Sequence, residues 1–345
     1  MPVLSAQQLE RLTADIFAAA GSPADVAQHV AHSLVVSNLM GHDSHGVLRI
    51  PSYLDAIDKG TCVPAARPTL QKETATTAIV DGNWAFGQIT AHFATQVAIE
   101  KARSANVAAI TIIRCNHIGR LGEYTEMASR EGMIAFMVGG TYNAGPVAPF
   151  GGAGRVLGTN PIAFGVPSVE EEPVVADIAT SVSAEGKLRV ARAKHQSVPR
   201  GVILDRDGNP STNPEDFYNG GVLLPMGGHK GYVLSVIVDL LGRYMAGGEK
   251  FAVKDVSFGN LLVVVNVAAF RPVEEFEAAV GERLKQIKGV KPAPGFSEVM
   301  LPGEPERRNQ KQRGKDGVVL PDDTYAALHA VADKLKVTMP DPLVA

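Results

Sequence analysis

The chain has 345 residues, 45% of them hydrophobic and 20% charged, and a formal net charge of −3. This is an ordinary globular composition, and the length favours two domains, which can be interleaved along the chain. The sequence has no basic stripe with interleaved aromatic residues, no signal-peptide pattern and no apolar run long enough to span a bilayer. We therefore expect a cytoplasmic protein that binds neither nucleic acid nor membranes.

Three helices are predicted in the first 60 residues. Ser5 and Gln8 form a capping-box pattern, in which the hydroxyl and the amide satisfy free backbone groups at a helix start. A second helix is predicted over residues 22–40, with proline at its first helical position and glycine after its end. A third is predicted over residues 51–60.

The densest cluster of reactive side chains lies between the second and third helices, Gly41-His42-Asp43-Ser44-His45-Gly46-Val47-Leu48-Arg49. A histidine exchanges protons near neutral pH, and an arginine fork fits a carboxylate with two hydrogen bonds. The loop therefore indicates proton transfer on a carboxylate-bearing substrate, although a polar connection between helices explains the same residues. His42 and His45 have a spacing seen in metal sites, but no further ligand is apparent, so no metal is predicted.

The next segment alternates between strand and helix patterns. Asn116 and His117 follow its second predicted strand, and Asn143 follows its third. Ligands commonly bind beyond the strand ends of open sheets, so we expect these residues near a site. The predicted strands cover residues 76–80, 107–113 and 133–138, and the predicted helices cover residues 88–104 and a segment that ends near residue 130.

Two glycine-rich loops, residues 150–161 and 224–231, lie in the second half of the chain. Neither is a Walker A motif, and no Gly-x-Gly-x-x-Gly opens a helix anywhere, so any dinucleotide must bind without a Rossmann fingerprint. Residues 302–317 are highly charged and carry no predicted element. Further strands are predicted over residues 174–181 and 261–268, and helices over residues 232–245, 273–287 and 322–334 and at the start of residues 183–200.

A series of short motifs follows one another along nearly the full length of the chain. In this order they resemble the malate/L-lactate dehydrogenase family of the non-Rossmann type, which includes ureidoglycolate and sulfolactate dehydrogenases, 2,3-diketogulonate reductase and Δ1-piperideine-2-carboxylate reductase. The motifs are Ser44-His45-Gly46 with Arg49 and Tyr53, Asn116-His117 with Gly119 and Gly122, Gly158-Thr159-Asn160-Pro161, Asp177-Ile178-Ala179-Thr180-Ser181, Leu224-Pro225-Met226-Gly227-Gly228-His229-Lys230-Gly231 and Leu301-Pro302-Gly303-Glu304-Pro305.

The resemblance implies an α/β fold of the α+β type, with a mixed, largely antiparallel sheet for the cofactor and a helical substrate domain. We expect residues 1–75 and 300–345 to form the helical substrate and dimerisation domain. Residues 76–299 would form the nicotinamide cofactor-binding domain, with a helical subdomain around residues 183–250. The family pattern further implies a homodimer with its sites near the subunit interface.

The implied activity is hydride transfer between NAD or NADP and a small 2-oxo or 2-hydroxy acid. One alternative is the reduction of cyclic ketimine carboxylates such as Δ1-piperideine-2-carboxylate, which needs the same hydride and the same carboxylate clamp. Another is a catalytically idle ligand-binding homologue. The basic residues Arg192, Lys194 and Arg200 suit a 2′-phosphate, but surface solvation explains them equally well, so the choice between NAD and NADP stays open.

Site residues carry over from the family pattern position by position. His45 is the first candidate for the acid/base and His117 the second. Ser44, Arg49 and Thr159 are expected to bind the substrate, with Arg49 clamping its carboxylate. One departure from the pattern is Phe258-Gly259-Asn260, where relatives usually carry a histidine. The expected cofactor residues are Val175, Ala176, Asp177, Ile178, Ala179, Thr180, Ser181, His229, Lys230, Gly303, Glu304 and Pro305.

Overall fold

The structure is a computed structural model that describes residues 1–141, 145–169, 172–245, 247–251 and 258–343, so Asn143 lies outside the described residues. The predicted fold class, helices with a mixed and largely antiparallel sheet, is confirmed. The helices are α1 (Ala6–Ala19), α2 (Ala24–Leu39), α3 (Ile50–Asp58), α4 (Gly87–Ala105), α5 (Gly122–Ser129), α6 (Glu185–Ala193), α7 (Pro214–Tyr218), α8 (His229–Asp239), α9 (Val273–Lys288), α10 (Glu304–Asp316) and α11 (Asp322–Leu335).

The strands vary from two-residue pairs to nine-residue central strands. They are β1 (Val3–Leu4), β2 (Thr69–Glu73), β3 (Thr77–Asp81), β4 (Val107–Cys115), β5 (Met133–Thr141), β6 (Ile162–Val166), β7 (Val174–Ile178), β8 (Ile203–Leu204), β9 (Pro210–Ser211), β10 (Val222–Leu223), β11 (Phe258–Asn266) and β12 (Val318–Val319). Short 3₁₀ turns cover Asp43–His45, Val47–Arg49, Gly248–Phe251 and Val267–Ala269, and a π-helical turn, Leu240–Tyr244, extends α8.

The central sheet has seven strands in the order β2-β3-β4-β11-β5-β6-β7. β3 and β4 run parallel, since α4 crosses over between them, and the other neighbouring pairs of this sheet are antiparallel. One face packs on α4 and α5 around Ile110, Tyr124 and Leu262. The other face packs on α8 around Val138 and Leu261. Both faces are covered, which explains the apolar, β-branched sequences of the middle strands.

A second core joins the two ends of the chain. Helices α1, α2, α3 and α11 pack around Phe17, Leu34 and Leu328, and β1 pairs with β12. The capping box at Ser5 is present, with Gln8 as its partner, as predicted. Division of the chain into the two domains, and the subdomain around residues 183–250, stays a prediction.

A third, smaller core lies beside the segment that follows α2. The sheet β10-β8-β9 packs with α6 and α7 around Leu188, Ile203 and Phe217. A Cβ atom on Gly186 of α6 would lie 3.3 Å from Cβ of Ser44. Helix α6 therefore approaches the loop that carries the predicted catalytic residues at Ser44.

Helix α10 forms where the sequence analysis found only a charged segment. It has no buried residue, so it lacks the apolar periodicity by which helices are recognised. Its support is local: Gly303 precedes it with φ +83°, Pro305 lies in its first turn, acidic residues occupy its start and basic residues its end. No helix in the part of the chain that the structure describes is long and apolar enough to cross a membrane.

Candidate active site

The loop after α2 is held in one shape by Asn38. The Asn38 Oδ1 atom accepts a hydrogen bond from the backbone N–H of Val47 at 2.9 Å, and its Nδ2 donates to Asp43 Oδ1 at 2.7 Å. A Cβ atom on Gly46 would lie 2.1 Å from Asn38 Oδ1, so glycine alone fits between the two short turns. The sequence here dictates a compact, preorganised loop.

Helix α10 fastens the same loop from outside. Arg313 donates to Asp43 Oδ1 at 2.7 Å and to the carbonyl oxygen of Asn38. His42 Nε2 lies 3.4 Å from Glu306 Oε1, so His42 faces α10. Among the described residues, no group of three or more His, Cys, Asp or Glu side chains is arranged to hold a metal ion.

His45 and His117 meet although 72 positions separate them in the sequence. Their rings stack, with centroids 5.4 Å apart and planes inclined by 21°. His45 Nδ1 lies 3.0 Å from Ser44 Oγ, and His117 Nδ1 lies 2.8 Å from the phenol oxygen of Tyr53. Each ring therefore has Nδ1 engaged within the protein and keeps Nε2 for a ligand.

Both imidazoles are neutral at pH 7. Burial lowers the pKa of His45 to about 3, with further lowering by the positive charge of Arg49. Burial likewise holds the pKa of His117 well below its ordinary value, and Arg49 and His45 lower it further. An anionic ligand at Arg49 would offset the cation and raise both pKa values, because an opposite charge favours the protonated ring.

Arg49 is oriented by the loop itself. Its Nε donates to the carbonyl oxygen of Ser44 at 2.6 Å, which leaves the terminal N–H groups of the fork to meet a carboxylate. Thr159 is bonded to the segment that follows β7. Its carbonyl oxygen accepts from the backbone N–H of Thr180 at 2.9 Å and from the Thr180 hydroxyl at 3.1 Å.

The expected cofactor strand, β7, forms an edge of the central sheet. Asp177 Oδ2 accepts from the backbone N–H of Gly122 at 2.7 Å, and burial raises the pKa of this carboxyl group. Gly303 packs on the strand so closely that a Cβ atom there would lie 3.3 Å from the carbonyl oxygen of Val175. Asp177, Val175 and Gly303 line one pocket together with Arg120.

The state of the Arg120 side chain indicates that this pocket suits a polar ligand. Arg120 is 4% exposed, and its Nε is buried without a hydrogen-bond partner in the described part of the chain. A buried guanidinium N–H without an acceptor is costly, and a ligand oxygen would satisfy it.

Glu304 and Pro305 shape the turn at the start of α10. The Glu304 carboxylate binds Lys288 and Arg308 and accepts from the backbone N–H of Leu301 at 3.0 Å. The Lys288 contact and this backbone bond lower the pKa of Glu304 to about 2. The side chain of Glu304 is thus committed to holding the Gly303 turn.

The second glycine-rich loop is fastened to the end of β7. Met226 N–H donates to the carbonyl oxygen of Thr180 at 2.9 Å, and Ser181 and Pro225 form an isolated antiparallel β-bridge. His229 and Lys230 follow in the first turn of α8, three residues earlier than the predicted helix start. The structure therefore brings β7, the Gly303 turn and the start of α8 into one region.

Comparison with known proteins identifies the family of this chain. The sequence profile described as malate/L-lactate dehydrogenase matches residues 4–329. The chain belongs to the malate/L-lactate dehydrogenase family. It is therefore an oxidoreductase, and membership implies a nicotinamide cofactor and a small carboxylate substrate.

Two curated members of this family show the extent of the match. The chain is 35% identical to the malate/(S)-sulfolactate dehydrogenase of Methanothermus fervidus, covering 98% of this chain and 99% of that one. It is 36% identical to the L-lactate dehydrogenase of Cupriavidus necator, covering 97% and 98%.

Solved structures of family members agree in fold. The malate dehydrogenase of Entamoeba histolytica has a TM-score of 0.92 at 28% identity, covering 98% of this chain and 99% of that one. The Δ1-piperideine-2-carboxylate reductase of Pseudomonas syringae has a TM-score of 0.81 at 29% identity, covering 96% and 100%.

Several residues of the site went unassigned in the sequence analysis. Tyr53 was quoted as part of a family motif but given no role, and Gln88, Arg120 and Asn38 were not singled out. Gln88 is one of several polar residues in α4, and nothing in that pattern indicates its contacts. Phe258, in the segment that departs from the family pattern, packs edge-on against His117 with centroids 5.7 Å apart.

Proposed function

We propose that His45, His117 and Arg49 form the site where this dehydrogenase exchanges hydride and proton with a small 2-oxo or 2-hydroxy acid. The observation that carries the proposal is the pair of stacked, neutral imidazoles, each with one free nitrogen, whose pKa values are lowered by burial and then by Arg49. Family membership supplies the reaction class, and these side chains supply a proton-transfer group and a carboxylate clamp.

Each of these residues has a separate role in the proposed reaction. When bound, the nicotinamide supplies the hydride in reduction and takes it back in oxidation. In reduction the carbonyl oxygen of the substrate takes a proton from His45, and in oxidation the neutral Nε2 of His45 takes the hydroxyl proton. His117 is the alternative for this step. Arg49 holds the carboxylate, and Ser44 and Thr159 are proposed as further substrate contacts.

The cofactor is proposed to lie along β7, between the Gly303 turn and the start of α8. Val175, Ala176, Asp177, Ile178, Ala179, Thr180 and Ser181 would contact it with Gly303, Glu304, Pro305, His229 and Lys230. The hydroxyl of Thr180 and the carboxylate of Glu304 are bonded within the protein, so a cofactor would compete with these internal bonds for either side chain. Lys230 offers a positive charge to a phosphate.

Separate fluorescence titrations with NADH and NADPH test the cofactor site and choose between the two. Arg192, considered for a 2′-phosphate, is paired with Glu215 at 2.9 Å and stacks on Tyr218, which leaves it less free than its sequence suggests. Binding of either nucleotide supports the proposal. If neither nucleotide binds, the proposal is contradicted and the catalytically idle homologue is favoured.

Reduction of a cyclic ketimine carboxylate is the second candidate function. The similarity to the Δ1-piperideine-2-carboxylate reductase structure favours it, and the Arg49 clamp serves either substrate. Rates of cofactor oxidation with pyruvate, oxaloacetate and Δ1-piperideine-2-carboxylate separate the two. A higher kcat/KM for the imino acid would replace the oxo-acid assignment.

We also propose that the protein is a homodimer in which α8 meets its copy. Four apolar side chains lie on one face of α8 and its π-helical extension: Val233 is 57% exposed, Ile237 48%, Leu240 49% and Tyr244 46%. An exposed apolar stripe of this length marks an interaction surface in most proteins. Light scattering should show that the native protein is a dimer and that Ile237→Glu is a monomer. If the variant has the same mass as the native dimer, the interface does not include this face of α8.

A further inference from the structure

A short chain of hydrogen bonds runs from α4 to the second histidine of the site. Gln88 Nε2 donates to the phenol oxygen of Tyr53 at 2.8 Å, and the same phenol oxygen lies 2.8 Å from His117 Nδ1. Gln88 is fully buried, and Tyr53 is 8% exposed. A buried donor needs an acceptor, so the positions of the protons follow from the number of donors and acceptors in this chain of hydrogen bonds.

With the Gln88 amide nitrogen facing the phenol, as in the structure, the count fixes the tautomer of His117. A phenol carries one proton, and its oxygen already accepts from the Gln88 amide, so its proton is left for His117 Nδ1. A nitrogen that accepts cannot also be protonated. The neutral ring of His117 therefore carries its proton on Nε2, the nitrogen available to a ligand.

His45 is under no such constraint. Its Nδ1 lies 3.0 Å from the Ser44 hydroxyl, which rotates and can either donate or accept. His45 can thus gain or lose a proton at Nε2 while Ser44 adapts. His117 can gain a proton at Nδ1 only if the Tyr53 hydroxyl rotates to donate to Gln88 and the Gln88 amide flips to present its oxygen.

We propose that Gln88 and Tyr53 are positioning residues that hold His117 as the Nε2–H tautomer, so that His117 donates a hydrogen bond to the substrate oxygen while His45 transfers the proton. This assignment rests on the proposed function and chooses between its two acid/base candidates. In reduction, a C–H bond forms at the carbonyl carbon as hydride arrives, and the C=O π electrons move to oxygen. The Nε2–H bond of protonated His45 breaks as its proton joins that oxygen, and His117 keeps its own proton throughout.

The tautomer can be read without any turnover. In protein labelled with ¹⁵N-histidine, two-dimensional ¹H–¹⁵N spectra distinguish protonated from unprotonated ring nitrogens. We expect unprotonated Nδ1 and protonated Nε2 for His117, assigned by the signals missing from His117→Gln. A protonated Nδ1 with a free Nε2 would overturn the proposal, because the Gln88 amide would then face the phenol with its oxygen.

Substitution of the phenol tests its positioning role. Tyr53→Phe removes the donor, so His117 should shift to a mixture of tautomers, and kcat should fall about tenfold, the scale of a neutral hydrogen bond. Tyr325→Phe makes the same change in α11, where the side chain packs against the helical core, and should leave both readouts unchanged. A His117 spectrum unaltered by Tyr53→Phe would contradict the proposal even if activity fell.

The two histidines should then differ in their pH profiles. His117→Gln keeps an N–H donor, so it should lower kcat while the pH dependence of the rate is retained. His45→Gln should remove that pH dependence together with roughly 10²–10⁴-fold of the rate. The reverse pattern would make His117 the acid/base. Loss of NADH and NADPH binding, with the expected His117 spectrum intact, would instead defeat the proposed function alone.

Discussion

The rings of His45 and His117 stack with their centroids 5.4 Å apart, and His45 is one of the groups that lower the pKa of His117, after burial and Arg49. Burial lowers the pKa of both, and the Arg49 charge adds to it. The free enzyme therefore holds two neutral bases beside a cation. Four predictions follow from this site and from the packing around it.

The pH dependence should differ between the two reaction directions. His45 has a pKa of about 3 in the free protein, so its neutral, proton-accepting form prevails at every pH above that value. We expect kcat/KM for oxidation of the hydroxy acid to be flat between about pH 6 and 9, since kcat/KM reports the free enzyme. For reduction, which needs the protonated form, kcat/KM should fall about tenfold per pH unit. A bend near pH 6.5 in the oxidation profile would show an unperturbed histidine instead.

Arg49→Lys should raise KM for the carboxylate substrate by about tenfold or more, with a smaller change in kcat. Lysine keeps the positive charge but loses the planar fork that holds a carboxylate with two bonds. Steady-state kinetics measure this, and nucleotide affinity should be unchanged. Arg11→Lys, on the exposed face of α1, is the matched control. An unaltered KM for Arg49→Lys would remove this residue from the carboxylate role.

Gly46→Ala should destabilise the protein and impair catalysis together. The added Cβ would lie 2.1 Å from Asn38 Oδ1 and would displace the amide that bonds Val47 and Asp43. We expect a loss of about 1–3 kcal/mol in the free energy of unfolding, measured with urea. Gly314→Ala is the control, since a Cβ there meets nothing within 4 Å. It lies in α10 and should be neutral or stabilising.

Stability should fall on mild acidification because of a histidine pair between α2 and α4. The rings of His29 and His92 lie 4.6 Å apart, and burial, followed by the charge of His92, lowers the pKa of His29 to about 4. The unfolded chain binds the His29 proton near pH 6.5, so this stabilisation is complete above pH 6.5 and is lost as pH falls toward 4. Urea midpoints should drop less between pH 7 and 4.5 in His29→Gln than in the native protein. His329→Gln, at an exposed histidine, should behave like the native protein.

The sequence predicted best what depends on neighbours along the chain. The capping box at Ser5, the apolar run of β4 and the helix before Gly41 are all local patterns, and each formed. Helix α10 was missed because its sequence has charge at both ends but no apolar face. The family resemblance supplied the antiparallel sheet, which periodicity alone could not order.

Contacts between distant positions were beyond prediction. Tyr53 and His117 are 64 positions apart, and Asp43 and Arg313 are 270 apart. Nothing in the spacing of Gln88 within α4 indicates that its amide faces a phenol. Such pairings depend on how the helical core and the sheet meet, and a single sequence carries no direct record of that.

Helix α10 has a further consequence for how ligands affect one another. At its start, Gly303 lies against β7, and near its end Arg313 binds Asp43 in the loop after α2. Its 13 residues span about 20 Å at 1.5 Å per residue, so one helix contacts both the proposed cofactor region and the proposed catalytic loop. A nucleotide that steadies the Gly303 turn would reduce the entropy lost when a carboxylate orders the loop. By thermodynamic reciprocity, a bound carboxylate would tighten nucleotide binding by the same factor.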